Sequence, residues 1–319
     1  MNLKESIGRY PELELNKFGE YHNDAIHLNT GRNCLEYILR ANEYKKIYLP
    51  FYICETIFEP INKLDMKFDY YNIDENLDPI LTSTIHNNEA LLYVNYFGIK
   101  RRTVEKLAGN FKNLIVDNTH DFFCNPLDGI DTLYSARKFF GVPDGAYLYS
   151  INLLGDIFEQ DHSYDRMEHL LVQADKGTEE GYDSFCKNER LLSRQPIRNM
   201  SKLTKALLEN IDYDKIKRQR RDNFLALHEK LGQINEFKIE SGDIGAPFVY
   251  PFLCAKGKEM KEKADGKKIH IDTYWESVLK KVNRNSFEAR LTNDLLPIPV
   301  SQMYSYEEMV YLGSFIRNY

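Results

Sequence analysis

Residues 116 to 149 read VDNTHDFFCNPLDGIDTLYSARKFFGVPDGAYLY, and the fold prediction starts from them. Asp117 ends an apolar run, and Lys138 follows 21 positions later inside Ser-Ala-Arg-Lys. A lysine amine can hold an aldehyde as a Schiff base, and a carboxylate can keep a pyridine nitrogen protonated so that the ring accepts electrons. The pairing therefore indicates a pyridoxal phosphate (PLP) site, with Asp117 and Lys138 as candidate catalytic residues.

Neither residue is specific when it is taken alone. An aspartate at a strand end is also common as a turn or cap residue, and most lysines are solvated surface charges. Ser135 adds context, because a hydroxyl three residues before Lys138 can reach a phosphate while the lysine reaches the aldehyde. Gly141 and Gly145 permit close backbone approach and a tight return into a strand, although an ordinary loop has the same composition.

Composition indicates an ordinary globular protein. The chain has 319 residues with 43% hydrophobic content, which is enough for one large and one smaller domain, each with its own core. We predict these domains at residues 1–231 and 232–319. The formal net charge of -6 argues against a surface that binds nucleic acid, and the basic cluster KIKRQRR at 215–221 is interpreted as a solvated helix face.

The cysteines and the apolar runs bear on the cellular compartment. The five cysteines are scattered and form no CxxC pair, so they are predicted to be reduced thiols with no metal site. No basic and apolar leader is recognisable, and no apolar run approaches the length of about 18 residues that a membrane-spanning helix requires. We therefore expect a cytoplasmic protein that does not enter a membrane.

Strand-like and helical segments alternate through the first half of the chain. A helix is predicted near residue 31 and a strand at 46–49, and the apolar runs MKFDYYNID, ALLYVNYFG and NLIVDNT follow. This order predicts an α/β fold whose mostly parallel sheet is covered by helices on both faces, with ligands beyond the carboxyl ends of the strands. Four residues stand at or just after such ends: Thr30, Asn95, Asp117 and Ser135.

The second half is predicted to be helical and then to form a small α+β unit. Residues 164–231 contain two amphipathic helices with apolar residues on one face. Strands are predicted at 248–254 and 268–271, and a last helix at 307–316 has Ser305 as its candidate cap.

The turn that opens the first helix is a candidate phosphate site. Thr30, Gly31 and Arg32 offer a hydroxyl, free backbone N–H groups and a guanidinium at a helix N-terminus. Capping of the helix by Asn29 or Thr30 explains the same residues.

One histidine and several aromatic residues are candidates to contact the ring of the cofactor. His120, three residues after Asp117, is a candidate ring contact, with a histidine packed in a loop as the alternative. The sequence does not select among the aromatic residues at strand ends that can stack on a pyridine ring. These residues are Phe51, Tyr52, Tyr96 and Phe97.

Taken in order, these segments resemble the sugar aminotransferases of the DegT/DnrJ/StrS type, which belong to fold type I of the PLP-dependent enzymes. TGRNCL at 30–35 is similar to the family's Ser-Gly-Thr-Ala-Ala-Leu phosphate turn, and YLPFYICETIFEPI at 48–61 to its Pro-x-x-Thr-Phe segment. VNYFG at 94–98 is similar to Val-His-x-Tyr-Gly, and VDNTH at 116–120 to Glu-Asp-Ala-Ala-His/Gln. Later, MSKLTKALLENI resembles the Met-Ser-Glu-Leu helix, and LLPIPVSQMYSYEEMVYL the closing Leu-Pro-x-His-Pro motif.

The resemblance implies a role for each candidate. Lys138 would be the Schiff-base lysine, Asp117 the partner of the pyridine nitrogen, and His120 a residue near the ring. The resemblance places four residues around the cofactor's phosphate: Thr30, Gly31, Arg32 and Ser135. It further implies a homodimer and a ping-pong reaction, in which an amino donor, commonly glutamate, passes its nitrogen to a keto sugar that can be nucleotide-linked, or to a related small carbonyl compound.

Two alternatives remain open at this point. A PLP-dependent sugar dehydratase or lyase would use the same lysine and carboxylate, and a non-catalytic binding protein would keep the same fold. The second alternative is favoured by two departures from the family pattern. Ser135 precedes Lys138 by three residues where the family has Ser-Phe-x-x-x-Lys, and IRNMS at 197–201 stands in place of Asn-x-Arg-Met-Ser.

Overall fold

The structure is a computed structural model that describes residues 10–239 and 244–319. Its strands are β1 Ile26–Leu28, β2 Lys46–Pro50, β3 Lys67–Ile73, β4 Pro79–Ile80, β5 Glu89–Val94, β6 Leu114–Asp117, β7 Asp131–Ser135, β8 Ala146–Tyr149, β9 Val249–Leu253 and β10 Leu295–Pro299. Its α-helices are α1 Gly31–Ala41, α2 Phe58–Lys63, α3 Arg101–Asn110, α4 Glu168–Lys176, α5 Thr178–Leu192, α6 Lys202–Glu209, α7 Tyr213–Leu231, α8 Gly257–Asp265, α9 Phe287–Asp294 and α10 Tyr306–Arg317.

The main sheet has eight strands in the order β1-β8-β7-β6-β5-β2-β3-β4. β7, β6, β5, β2 and β3 are parallel to one another, whereas β8 runs antiparallel to β7 and β4 runs antiparallel to β3. Because β1 pairs antiparallel with β8, it runs in the same direction as the central strands. The predicted α/β class with a mostly parallel sheet is confirmed. The carboxyl ends of β1, β5, β6 and β7 consequently share one edge.

The central strands are buried because helices cover the sheet. Every residue of β6 is buried, and so is every residue of β5 after Glu89, as expected for parallel strands that lack a solvated face. Leu35, Ile38 and Leu39 of α1 recur at helical spacing and are buried in the same core. Each such apolar side chain contributes about 1.5–3 kcal/mol when it leaves water, so this helix is held where its N-terminus meets the strand ends.

The predicted helical stretch forms α4 to α7. α4 and α5 form a hairpin joined at Gly177, which has a φ of 100°. The basic cluster lies on α7, and the prediction of a solvated face is wrong for one of its members. Arg220 is buried at 2% exposure, because its Nε donates to Gln302 Oε1 (2.8 Å) and its Nη1 to Pro247 O (3.2 Å). Lys215, Arg218 and Arg221 are exposed.

The C-terminal part contains a separate two-stranded antiparallel sheet, β9 with β10. Phe224, Leu227 and Leu231 at the end of α7 pack with both strands and with α10 in a second apolar core. The predicted cap is confirmed, since Ser305 Oγ accepts from Glu308 N (3.2 Å) at the start of α10. The predicted boundary between residues 231 and 232 stays a prediction, and residues 1–9 and 240–243 lie outside the described part.

One predicted strand is wrong, and the partner strand of β9 was not predicted. Residues 268–271 form no strand, because the chain turns back on α8 there and Ile269 N donates to Ala264 O (2.9 Å). The partner of β9 is instead β10, whose sequence LLPIP has two prolines and does not resemble a strand. The pairing places Pro297 opposite Pro251, so two residues that cannot donate a ladder hydrogen bond face each other.

No helix within residues 10–239 and 244–319 is long and apolar enough to cross a lipid bilayer.

Candidate active site

One cleft at the carboxyl edge of the main sheet brings the predicted site residues together. It encloses about 1040 Å³, including its open mouth. All the residues predicted to hold or act on the cofactor line it: Thr30, Gly31, Arg32, Asp117, His120, Ser135 and Lys138. They come from the ends of β1, β6 and β7, which are remote in sequence and share an edge because these strands run in one direction.

Lys138 is presented by a single turn of 3-10 helix, Ala136–Lys138, directly after β7. Ala136 N donates to Gly145 O (3.1 Å), and Gly145 N donates to Asn29 O (2.7 Å), so the loop is tied to the segment that follows β1. Gly145 has a φ of 113°, and an added Cβ would lie 2.9 Å from Thr204 Cγ2. Ser135 and Lys138 both line the cleft, although only two residues separate them.

Asp117 is a buried carboxylate at the last position of β6. Its backbone O accepts from Asn95 N (3.0 Å), and its Oδ1 accepts from Thr119 N (2.9 Å). Burial raises the pKa of Asp117, while the hydrogen bonds of Thr119 and the charge of Lys138 act in the opposite direction. A cationic N–H group brought to this carboxylate would relieve part of the cost of burial.

His120 is buried beside the cleft as a neutral imidazole. Burial lowers its pKa to about 3, and the positive charge of Lys138 acts in the same direction. Phe97 N donates to His120 Nδ1 (3.3 Å), so the ring proton is assigned to Nε2. The imidazole stacks on Phe248, with ring centroids 4.9 Å apart, and this packing fixes its plane.

The turn at the start of α1 faces Ser135 across the cleft floor. An added Cβ on Gly31 would lie 3.9 Å from Ser135 Cβ. The first N–H groups of an α-helix have no carbonyl partner within the helix, so those of Gly31 and Arg32 are suited to bind an anion. Thr30 is also the helix cap, since its Oγ1 accepts from Asn33 N (3.2 Å). Arg32 Nη1 donates to Glu59 Oε2 (2.6 Å).

None of the four aromatic candidates lines this cleft. Tyr52, Tyr96 and Phe97 are buried in the main core, and Phe51 stacks on Tyr70 with ring centroids 4.5 Å apart. The prediction that one of them lies against the cofactor ring is therefore not supported, because the strand ends that carry them direct these side chains into packed regions.

Trp275 is a large aromatic residue of the cleft that the sequence did not indicate. It comes from the C-terminal part, lines the cleft, and lies nearly parallel to His120 at a centroid distance of 6.0 Å. Its φ of 57° is in the left-handed region that non-glycine residues rarely adopt. It is the single tryptophan of the chain, and that rarity was the one signal available in the sequence.

An ion pair next to Lys138 was also missed. Arg137 Nη2 donates to Glu189 Oε1 of α5, and Glu189, with its neighbour Phe185, lines the cleft from the hairpin side. Burial acts to raise the pKa of Glu189, but the charges of Arg137, Lys138 and Arg32 outweigh burial, so the pKa is lowered. Periodicity predicts helix α5, but no local pattern indicates which strand end it covers.

No protein-family model matches the sequence, and no curated protein matches it either. Solved structures do share the fold. DesV of S. venezuelae has 14% sequence identity and a TM-score of 0.64, with 92% of this chain and 84% of that chain covered. A DegT DnrJ EryC1 StrS aminotransferase from Brucella abortus has 12% identity and a TM-score of 0.62, with 92% and 85% covered.

A third structure extends the comparison to another reaction. GDP-4-keto-6-deoxy-D-mannose-3-dehydratase of E. coli, solved with bound hydrated PLP, has 15% identity and a TM-score of 0.62, with 94% of this chain and 92% of that chain covered. The predicted fold type I is confirmed. The chain therefore has the fold of DegT/DnrJ/EryC1/StrS-type aminotransferases and of a PLP-binding sugar dehydratase, in agreement with the resemblance of its motifs.

Proposed function

We propose that this protein is a PLP-dependent aminotransferase that acts on a keto sugar. The observation that carries the proposal is the convergence of Asp117, His120, Ser135 and Lys138 with the Thr30 turn in one cleft. The fold is shared with sugar aminotransferases, including DesI, which was solved with its TDP-sugar product at 12% identity and a TM-score of 0.65.

The residues of the cleft fit PLP. The turn Thr30–Gly31–Arg32 and the Ser135 hydroxyl would bind the phosphate, and Lys138 Nζ would bind the aldehyde carbon. Asp117 would bind the pyridine nitrogen, since a buried carboxylate with a raised pKa is stabilised by a cationic N–H. When bound, the cofactor supplies an electron sink for the bond that is broken at the substrate carbon.

The protein's own residues would then position the reactants and move protons. Once released from the cofactor, Lys138 Nζ is the group suited to take a proton from one carbon and return it to another. Neutral His120 keeps a hydrogen-bond donor at Nε2 beside the ring. Trp275 and Phe185 border the cleft with apolar surface and reduce the access of water.

The donor, the acceptor and the assembly belong to the same proposal. Glutamate is the amino donor expected from the motif resemblance, and the acceptor is a keto sugar. A nucleotide-linked sugar is favoured by the TDP-sugar product of DesI and by the GDP-sugar in the name of the E. coli dehydratase. A homodimer is expected on the same ground, and light scattering of the purified protein measures it: a monomer would contradict this part.

A spectroscopic titration tests the cofactor assignment. Wild-type protein incubated with PLP should gain a visible absorbance band from lysine-bound cofactor, and Lys138→Ala should lack it. Lys106→Ala is the matched control, because Lys106 lies on α3 with a side chain 68% exposed. A band that persists in Lys138→Ala, at the intensity of the control, would overturn the assignment of the lysine.

A sugar dehydratase is the second candidate, because a dehydratase of 15% identity has the same fold. Product analysis separates the two, since transamination leaves the donor's nitrogen on the sugar, whereas dehydration removes a hydroxyl and gives a product without that nitrogen. Protein that gives no band with PLP at all would instead support the non-catalytic alternative.

A further inference from the structure

Arg137 lies where the cleft meets a second cavity. This cavity is enclosed by the α4–α5 hairpin and the segment after Lys138, and its wall includes His169, Gly181 and Tyr182. Arg137 and Phe185 line both spaces, so the two are neighbours that share a wall. The second cavity encloses about 720 Å³, including its opening, which is room for part of a small organic molecule.

The guanidinium of Arg137 is only partly used by the protein. Its Nη2 donates to Glu189, but its buried Nε has no hydrogen-bond partner among the described residues. The side chain is 15% exposed. A charged group whose donors are incompletely paired is costly, and the part of the Arg137 side chain that remains exposed borders the two cavities, where a ligand can reach the guanidinium.

The cofactor's phosphate is not the ligand that this geometry favours. The phosphate turn of α1 and Ser135 face each other on the cleft floor, whereas Arg137 is directed to α5 and to the hairpin cavity. Glu189 binds one side of the guanidinium and holds it in place. The planar fork of an arginine suits a carboxylate or a phosphate, which both present paired oxygens.

We propose that Arg137 and the hairpin cavity form a substrate subsite that binds an oxyanion, either the carboxylate of the amino donor or a phosphate of the acceptor. The inference rests on the proposed function, because it assigns part of the substrate to a place beside Lys138. Arg137 is thereby a substrate-binding residue, and Glu189 is the residue that positions it.

The test uses PLP-loaded protein and two probes, L-glutamate for the carboxylate and uridine diphosphate for the phosphate. The affinity for glutamate is measured from the concentration dependence of the cofactor's spectral change, and the affinity for uridine diphosphate is measured by titration calorimetry. Arg137→Gln should weaken the binding of one probe by at least about tenfold, which is the scale of one charge-assisted hydrogen bond. The probe that is affected shows whether the subsite binds the donor's carboxylate or the acceptor's phosphate. Arg40→Gln removes the same charge from a surface ion pair with Asp156 and serves as the matched control.

A second variant tests the cavity without changing the arginine. Gln173 lines the hairpin cavity and does not line the cleft, so Gln173→Trp should fill the subsite and weaken the same probe. Arg137→Gln with unchanged affinity for both probes would overturn the inference, and so would a parallel loss of PLP affinity, which would assign Arg137 to the cofactor. Wild-type protein without a PLP band would contradict the proposed function alone, since titration calorimetry of both glutamate and uridine diphosphate on the unloaded protein still measures binding at the subsite.

Discussion

The two walls of the cleft differ in origin. The sheet wall consists of residues at strand ends, Asp117, Ser135 and Lys138, together with the turn after β1. The outer wall consists of Phe185 and Glu189 from α5 and Trp275 from the C-terminal part. Under the proposed function, the sheet wall would hold the cofactor and the outer wall would border the substrate. The two walls would then contribute differently to cofactor binding and to substrate binding.

The largest expected effect is on the sheet wall. Asp117→Asn should lower the transamination rate by about 10²–10⁴-fold, because an amide cannot hold the pyridine nitrogen in its protonated form. The rate of glutamate-dependent conversion of the cofactor measures it. Asp156→Asn, a surface change, is the control, and a rate for Asp117→Asn equal to that of this control would remove the distinction between the walls.

Asp144 lies beneath the sheet wall, and its replacement should lower the stability of the protein. Asp144 is fully buried and accepts from Ser201 N (2.9 Å), Ser201 Oγ (2.7 Å) and Thr204 Oγ1, and so anchors the loop that contains Lys138 to α6. Asp144→Ala leaves these donors unsatisfied and should lower the free energy of unfolding by about 3 kcal/mol in urea titrations. Asp212→Ala, which removes only a helix cap, should cost about 1 kcal/mol. Equal losses would contradict the anchoring role.

A buried carboxyl next to His120 should make stability depend on pH. Burial raises the pKa of Asp121 to about 7 from an ordinary value of 3.8, against the hydrogen bond from Asn95. The folded protein thus holds a proton that the unfolded chain has lost, so stability from this group falls as the pH rises from about 4 to about 7. Asp121→Asn should flatten this decline by about 2–4 kcal/mol in denaturation curves across that range. An unchanged slope would show that Asp121 is ionised throughout.

The smallest expected effect is on the outer wall. Trp275→Phe should change the KM of substrates by about two- to tenfold, the scale of an aromatic contact, and should leave the PLP band intact. Because Trp275 is the single tryptophan and lines the cleft, PLP should also quench the intrinsic fluorescence of the wild-type protein. Loss of the PLP band in Trp275→Phe would show that this residue contributes to cofactor binding, as the residues of the sheet wall do.

The sequence indicated the sheet wall because its residues follow from local rules. A strand end, a helix cap and a lysine turn each have a short signature, and parallel strands bring their ends together. The outer wall has no such signature, since Glu189 meets Arg137 only through the packing of a hairpin on the sheet edge. Dependence on tertiary packing also explains why the aromatic candidates were wrong. It explains why β10 was missed, since this strand is recognised only by its pairing with β9, in which two prolines lie opposite each other.

The identity of the lysine is the central claim, and chemical trapping measures it most directly. Borohydride reduction of PLP-loaded protein fixes the cofactor to the lysine that holds it, and peptide mass spectrometry then locates the added mass. The added mass should be found on the peptide that contains Lys138 and should be absent from Lys138→Ala. Modification of a different lysine, or of none, would contradict this claim.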